Sequence, residues 1–283
     1  MAHPIALMHT PCSELGACLL AGVERDTRGC FLSDADRFNF FPATPMVVIS
    51  WIFEGALQRV DDGVLGPVLS QLVFSGPQRT PYVSWSPGPV HALSVGFYPE
   101  AMRRLIGRPI GAFIDRSVPL AEVAPPALMQ ACQAVLDAGK EAPFAMLEVV
   151  FRPLWHGASA ASPTPFLSDW VRSVATRATH SSAGRSLRQL QRQVRDWTGQ
   201  SCRDLALFIR AEEAFLRHLE ARRAGDASLA AIAANAGYAD QSHMGREIRR
   251  VTGLSPADLG RRLETDEAFW YYRLVAGELV RRG

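Results

Sequence analysis

LQRQVRDWTGQSCRDL (190–205) and MGREIRRVTGLSPADL (244–259) align without a gap at a spacing of 244 − 190 = 54 residues. Seven of the sixteen positions are identical: Arg192/Arg246, Arg195/Arg249, Thr198/Thr252, Gly199/Gly253, Ser201/Ser255, Asp204/Asp258 and Leu205/Leu259. Ungapped self-similarity of this quality means that one supersecondary unit occurs twice.

The second copy reads as a helix-turn-helix. Ser228 is placed to cap LAAIAANA (229–236), whose Leu229, Ile232, Ala233 and Ala236 fall at i, i+3, i+4 and i+7. Gly237 supplies the turn, and Asp240 caps a further helix that Gly253 ends. At about 100° per residue, Met244, Ile248 and Val251 share one face of that helix. Ser242, Arg246 and Arg249 lie on the opposite face, and Gln241 and Ser242 sit at the N-terminal end, where recognition helices meet base edges. Arginine can grip guanine, and glutamine adenine, through paired hydrogen bonds. In the first copy Ser186 and Gln189 form a capping-box pattern. Leu190, Val194 and Trp197 make the core face there, with Arg188, Gln191, Arg192 and Arg195 outward. Ser201 starts a connecting helix to about Glu220, and Ser255-Pro256 starts another. The competing reading is a basic amphipathic bundle that packs on protein.

Charge follows the same division. The 283 residues carry a net charge of +2. Residues 1–160 hold 11 Lys/Arg and 14 Asp/Glu (11 − 14 = −3), and residues 161–283 hold 19 and 14 (19 − 14 = +5). A basic C-terminal part suits a polyanion partner. The stretch GASAASPTP (157–165) is small and polar, which marks a linker. The resulting organisation is an N-terminal sensing and dimerisation domain at 1–157, a linker at 158–165, and a DNA-binding domain with a helical extension at 166–283.

Upstream of the linker, MVVISWIF (46–53), VLSQLVFS (68–75), PYVSWS (81–86) and HALSVGFY (91–98) read as strands of a sandwich or barrel. Residues 100–107, 125–137 and 143–151 read as helices. The fold class is therefore α+β multidomain, with a β-rich N-terminal domain and an all-α C-terminal domain. Trp51, Phe53, Tyr82, Trp85 and Phe97 are candidates to line a ligand pocket, with Glu54, Arg79 or His91 as its polar handle. The tail ETDEAFWYYRLVAGELVRR (264–282) reads as one more helix, placing Phe269, Trp270 and Leu274 on the DNA-binding domain.

With these residues in place, AAIAANAGYADQSHMGREIRRVTGLSPADL (230–259) resembles the C-terminal signature of AraC/XylS-type transcription regulators, and the wider likeness spans about 166–263. The resemblance implies two helix-turn-helix units joined by the long helix, with two recognition helices entering successive major grooves of duplex DNA. It implies base- and phosphate-facing roles for Gln241, Ser242, Gly245 and Arg246, and for Arg188, Gln191 and Arg192. Two departures stand out: 174–182 (VATRATHSS) lacks the apolar pattern of 229–236, and Gly245 is short for direct readout. The helix around Trp170, Val171 and Val174 is the alternative support for the first unit. FSGPQRTP (74–81) and GFYPEAMRRLIGRPIGAFIDRSVPL (96–120) resemble an uncharacterised sensor-like domain that precedes this unit in bacterial regulators. The implied partners are duplex DNA and a small-molecule effector, with RNA polymerase contact and a homodimer left open.

The other classes have less behind them. No G-x-S-x-G, H-E-x-x-H, G-x-G-x-x-G or P-loop motif occurs, so no catalytic residue, metal or cofactor is assigned. A DNA-repair alkyltransferase would need a reactive cysteine, and neither Cys12 nor Cys132 has the Pro-Cys-His context. A helical adaptor that does not bind DNA is the third class. Five unevenly spaced cysteines, no apolar run of membrane length and no signal-peptide pattern in MAHPIALMHTPCSEL point to a reduced cytoplasm.

Overall fold

Period-two alternation at 46–53 and 91–98 becomes the centre of an antiparallel sheet. The computed structural model describes residues 3–138, 141–155, 166–180, 186–225 and 228–282. Among these, the larger sheet has strands β1 (Ile5–His9), β2 (Leu19–Asp26), β4 (Val47–Glu54), β7 (Leu72–Ser75), β9 (His91–Phe97) and β10 (Ser117–Pro119), in the order β1-β2-β9-β4-β7-β10. The smaller sheet has β3 (Phe38–Phe41), β5 (Gln58–Asp61), β6 (Val64–Val68) and β8 (Tyr82–Trp85), in the order β3-β8-β5-β6. The segment 68–75, expected as one strand, is two. It breaks where Ser70 Oγ donates to Leu72 O at 2.7 Å, and the halves join different sheets.

One face of β4 and β9 carries Val47, Ile49, Trp51, Leu93, Val95 and Phe97, all buried. This face packs under three helices: α1 (Pro99–Ile106), α2 (Pro126–Ala138) and α3 (Pro143–Phe151). Trp51 Nε1 donates to Cys132 O of α2 at 2.9 Å, and the Phe97 and Phe151 rings lie 5.5 Å apart. The opposite face, with Val48, Ser94 and Gly96, turns toward the smaller sheet.

The C-terminal part is helical throughout its described residues. Its elements are α4 (Leu167–His180), α5 (Leu187–Thr198), α6 (Cys202–Ala224), α7 (Leu229–Asn235), α8 (Gln241–Thr252), α9 (Pro256–Thr265) and α10 (Trp270–Arg282). The expected linker at 158–165 lies wholly outside the described residues. No described helix is long and apolar enough to cross a membrane.

The tail corrects one expectation. It is not a single helix: Asp266 is extended, and a short turn at Glu267–Phe269 precedes α10. Nor does it pack on the C-terminal helices alone. Trp270 Nε1 donates to Asn39 Oδ1 of β3 at 2.8 Å, the Phe269 ring stacks on Phe40 at 4.7 Å, and Leu274 is half-buried. Arg25 of β2 reaches Glu267 at 2.6 Å. Trp270 found its partner on the smaller sheet and Glu267 on the larger one, pairings that helical periodicity could not indicate.

Candidate nucleic-acid interface

The two copies of the repeat fold alike down to their hydrogen bonds. Ser186 caps α5 by accepting the Gln189 N–H, and Asp240 caps α8 by accepting the His243 N–H at 2.6 Å. Each helix stops at a left-handed glycine, Gly199 (φ 75°) or Gly253 (φ 79°), whose N–H donates to Arg195 O or Arg249 O at 2.8 Å. Only glycine adopts this conformation without a steric penalty. Just before it, the Thr198 hydroxyl donates to Val194 O (2.8 Å) and accepts the Gln200 N–H. Thr252 does the same with Ile248 O (2.9 Å) and the Leu254 N–H. Ser201 and Ser255 then cap α6 and α9 by accepting the N–H of Asp204 and Asp258. The repeated Thr-Gly-x-Ser-x-x-Asp residues are the machinery of this shared turn.

The faces are as the periodicity requires. Val194 is buried on α5, as are Met244, Ile248 and Val251 on α8, whereas Leu190 and Trp197 are half-buried. Arg188, Gln191, Arg192, Arg195, Gln241, Ser242, Arg246 and Arg249 are exposed, and Gly245 is half-buried with open space above it. None of the five arginines in this set has an ion-pair partner among the described residues. Several arginines elsewhere in the C-terminal part do: Arg177 with Glu100 (2.5 Å), Arg210 with Glu247 (2.6 Å), and Arg217, Arg222, Arg250 and Arg273 with acidic neighbours. Unneutralised guanidinium groups aligned on two helix faces form a surface for an anion.

The support for α5 is α4. Its Trp170, Val174 and Ala178 are buried, so the segment that lacked the pattern of 229–236 is carried by the helix that begins earlier. Sequence reasoning missed a network behind α8. Arg210 of α6 forms a bidentate pair with Glu247 of α8, and His243 Nε2 stands 3.4 Å from the same carboxylate. The pairing of a basic residue on one helix with an acid 37 positions away leaves no local signal.

A second feature is a cavity of about 280 Å³ between the inner faces of the two sheets. Val48, Ala92 and Ser94 line it from one sheet, and Phe41, Tyr82 and Ser84 from the other. Phe208 of α6, Ile248 and Val251 of α8, and Trp270 and Tyr272 of α10 close it. Of the five candidate pocket aromatics, Tyr82 lines this cavity. Trp51, Phe53 and Phe97 point from the other face of their strands into the core under the helices, and half-buried Trp85 follows Ser84 to the outer face of β8. Successive strand residues alternate faces, so a choice of odd or even positions moves the whole set. The handles lie elsewhere too. Glu54 is exposed, Arg79 pairs with Asp115 at 2.7 Å, and buried His91 bonds Glu24 at 2.8 Å. Glu212 of α6 does line the cavity. It accepts the Leu167 N–H at 2.9 Å, and burial pushes its pKa up to about 7. Burial also pushes the Cys132 thiol up, which suppresses its thiolate, while Cys12 is half-buried with its N–H on Glu148.

Comparison with known proteins bears on the C-terminal part. Residues 181–262 match the model of a helix-turn-helix domain family. No curated protein sequence matches the chain. Among solved structures, ToxT from Vibrio cholerae aligns with a TM-score of 0.36 and 10% identity, covering 90% of this chain and 95% of its own. An unsaturated fatty acid-bound form of wild-type ToxT gives 0.35 and 12% over 91% and 96%. The AraC-like transcriptional activator CuxR gives 0.20 and 11% over 93% and 82%. Likeness at this level is too loose to carry function.

Proposed function

We propose, from the premise that residues 181–262 are an AraC-type helix-turn-helix domain, that this chain is a transcription regulator that binds duplex DNA through α5 and α8. The observation that carries this reading is the pair of equivalent helix faces with unpaired arginines. Arg188, Gln191, Arg192 and Arg195 belong to the first face, and Gln241, Ser242, Gly245, Arg246 and Arg249 to the second. α6 (Cys202–Ala224) joins the two units, and α8 packs along its first half through the Arg210–Glu247 pair and Arg250 beside Asp204. Residues 166–283 are then the DNA-binding part, and 1–157 the regulatory part.

Control by a small molecule is the second element of the proposal. The cavity supports it because its wall is shared between the two sheets and the back of α8, so an occupant touches the recognition helix through Ile248 and Val251. Effector binding in this reading uses the space between the sheets and the C-terminal helices instead of the interior of the N-terminal domain alone.

Salt titration tests the DNA reading. Each phosphate neutralised contributes about −0.9 to the slope of log K against log salt, so two units making several contacts each should give a slope steeper than about −4. Arg192→Ala and Arg246→Ala should each flatten the slope or cost about 1–3 kcal/mol at one base-pair position. Binding that is indifferent to salt, or unchanged in both variants, excludes these faces.

A further inference from the structure

α6 presents one stripe of side chains to the cavity. Phe208, Ala211, Glu212 and Phe215 follow one another at i, i+3, i+4 and i+7, so they share a helix face, and all four line the space. Glu212 and Phe215 are half-buried and keep accessible surface. The Glu212 carboxylate accepts the Leu167 N–H, with Oε2 at 2.9 Å and Oε1 at 3.2 Å, and Leu167 is itself a wall residue. Across the space the wall is aromatic. Phe41 lies 4.8 Å from the Tyr82 ring and 5.2 Å from the Tyr271 ring, and all three line the cavity.

Glu212 stands in this wall without a counter-charge. Among the described residues no arginine, lysine or histidine pairs with it, and the charged groups that act on it, Asp169 of α4 and Glu213 of α6, are both acidic. The other charges of the wall are already paired. Glu267 holds Arg25 at 2.6 Å over the Trp270 ring, and Glu278 of α10 pairs with exposed Arg281. Burying a carboxylate without a counter-ion is costly, and an anionic ligand would add a second negative charge to the same space. A neutral ligand would leave the carboxylate unpaired. A cation supplies what is missing. A carboxylate has about four lone-pair sites, the N–H groups of Leu167 and Ser168 take only part of them, and an ammonium group brings donors for the rest. Aromatic rings such as Phe208 and Phe215 also attract a positive charge.

We propose that the cavity takes a small protonated amine with an apolar, aromatic body, and that its ammonium head pairs with Glu212 on the α6 stripe. The inference rests on the effector reading above and specifies its ligand class. The volume of about 280 Å³ is near the lower end of the range for small-molecule sites, about 300–1,000 Å³, so the body is small. Ile248, Val251 and Thr252 of α8 line the same space, so occupancy bears directly on that helix.

The test uses the full chain and four probes of one shape: 4-phenylbutylamine, 4-phenylbutan-1-ol, 4-phenylbutanoate and butylbenzene. Binding is followed by calorimetry, and duplex affinity is measured in the same samples. At pH about 8 the amine should bind about tenfold tighter than each of the other three, the worth of a charge-assisted hydrogen bond in a buried site. Glu212→Gln should lower amine affinity about tenfold, to the level of the alcohol, and leave butylbenzene binding unchanged. The pH profile is a second readout. The Glu212 carboxyl, pushed up to about 7 by burial, is mostly ionised at pH about 8 and mostly protonated at about 6, while the amine stays protonated at both. Amine affinity should therefore fall about tenfold from pH about 8 to about 6 in the unaltered chain and stay level in Glu212→Gln. Should the variant lose butylbenzene as well, the profile of the unaltered chain decides. If the alcohol or the butanoate binds tightest, the cationic class is overturned, and a shift in duplex affinity with that probe keeps the effector reading. An amine affinity that neither the substitution nor the pH change lowers overturns the pairing with Glu212. Amine binding with no change in duplex affinity supports the ligand class and overturns the effector reading. No binding by any probe overturns both.

Discussion

The two helix-turn-helix units share their local chemistry and differ in what they are packed against. In the first, Trp170, Val174, Ala178 and Val194 belong to the same buried cluster as Ile49, Val95 and Phe97 of the large sheet. Polar contacts reinforce the union. Glu100 of α1 accepts from Trp170 Nε1 at 3.1 Å and pairs with Arg177, Arg103 donates to Asp196 O at 3.1 Å, and Gln200 Nε2 donates to Pro45 O at 2.9 Å. The second unit has a core of its own, built from α6, α7 and α8, to which the N-terminal part adds only Ala43 among the described residues. It is tied to the rest by the Ala43 N–H donating to Val251 O at 2.7 Å and by Leu254 and Leu259, which pack in a further cluster with Phe38 and Phe40 of β3. A duplicated unit can thus keep one local structure while one copy shares the core of the large sheet and the other has a core of its own that meets the smaller sheet at its edge.

Core truncation should separate the two most sharply. Ile248→Ala leaves a cavity in the second core and should cost about 2–5 kcal/mol. Hydrogen exchange should then accelerate in α7 and α8 while α4 and α5 stay protected, since stability is distributed in cooperative units. Val174→Ala should instead speed exchange in α4, α5 and the large sheet together. If Ile248→Ala loosens the sheet equally, the second core is not separate.

Glycine substitution sharpens the same contrast at the turns. A Cβ on Gly199 would stand 2.9 Å from the Gly111 backbone N, which cannot move aside cheaply, whereas on Gly253 it would meet Pro81 Cγ at 3.3 Å. Both carry the left-handed strain, so Gly253→Ala should cost about 1 kcal/mol and Gly199→Ala about 3 kcal/mol. Equal losses in thermal or denaturant melting would mean that the first turn does not press on the N-terminal domain as closely as the structure has it.

The smallest effect expected concerns pH. Glu212 lies on α6 and caps the start of α4, and its pKa is raised from 4.5 to about 7 by burial. The folded protein therefore holds this proton more tightly than the unfolded chain. Its contribution to stability is full below pH about 4.5 and is lost as pH rises through about 7. Glu212→Gln should flatten that decline between pH about 5 and about 8, with the change seen in the exchange of α4 more than of α8. A decline of the same size in the variant would assign it to other groups.

Much of the C-terminal architecture was legible because its signals are local. Caps at Ser186, Ser201, Ser228, Asp240 and Ser255, stops at Gly199 and Gly253, and the apolar face of Met244, Ile248 and Val251 each involve residues within one or two turns of one another. The strands around Trp51 and Phe97 were legible for a similar reason, since alternation is read within a single segment. β1, β2, β3 and β5 were missed because their partners, not their own pattern, make them strands: His9 and Glu24 meet across β1 and β2 at 3.0 Å. The division of 68–75 between two sheets had no local mark beyond Ser70 and Gln71.

The candidate site shows the same boundary more plainly. By itself the sequence determined two copies of a capped, amphipathic helix with arginines on the outward face, because a helix places its faces by a period of 3.6 whatever surrounds it. Only the tertiary structure decided that Tyr82 faces the cavity while Trp51, Phe53 and Phe97 face the core, and that Val174 and Val194 join the N-terminal core while Ile248 and Val251 build a separate one. A strand offers two faces, and its own alternation does not say which one another element will cover. That choice is made when residues far apart in the chain compete to bury the same apolar surface.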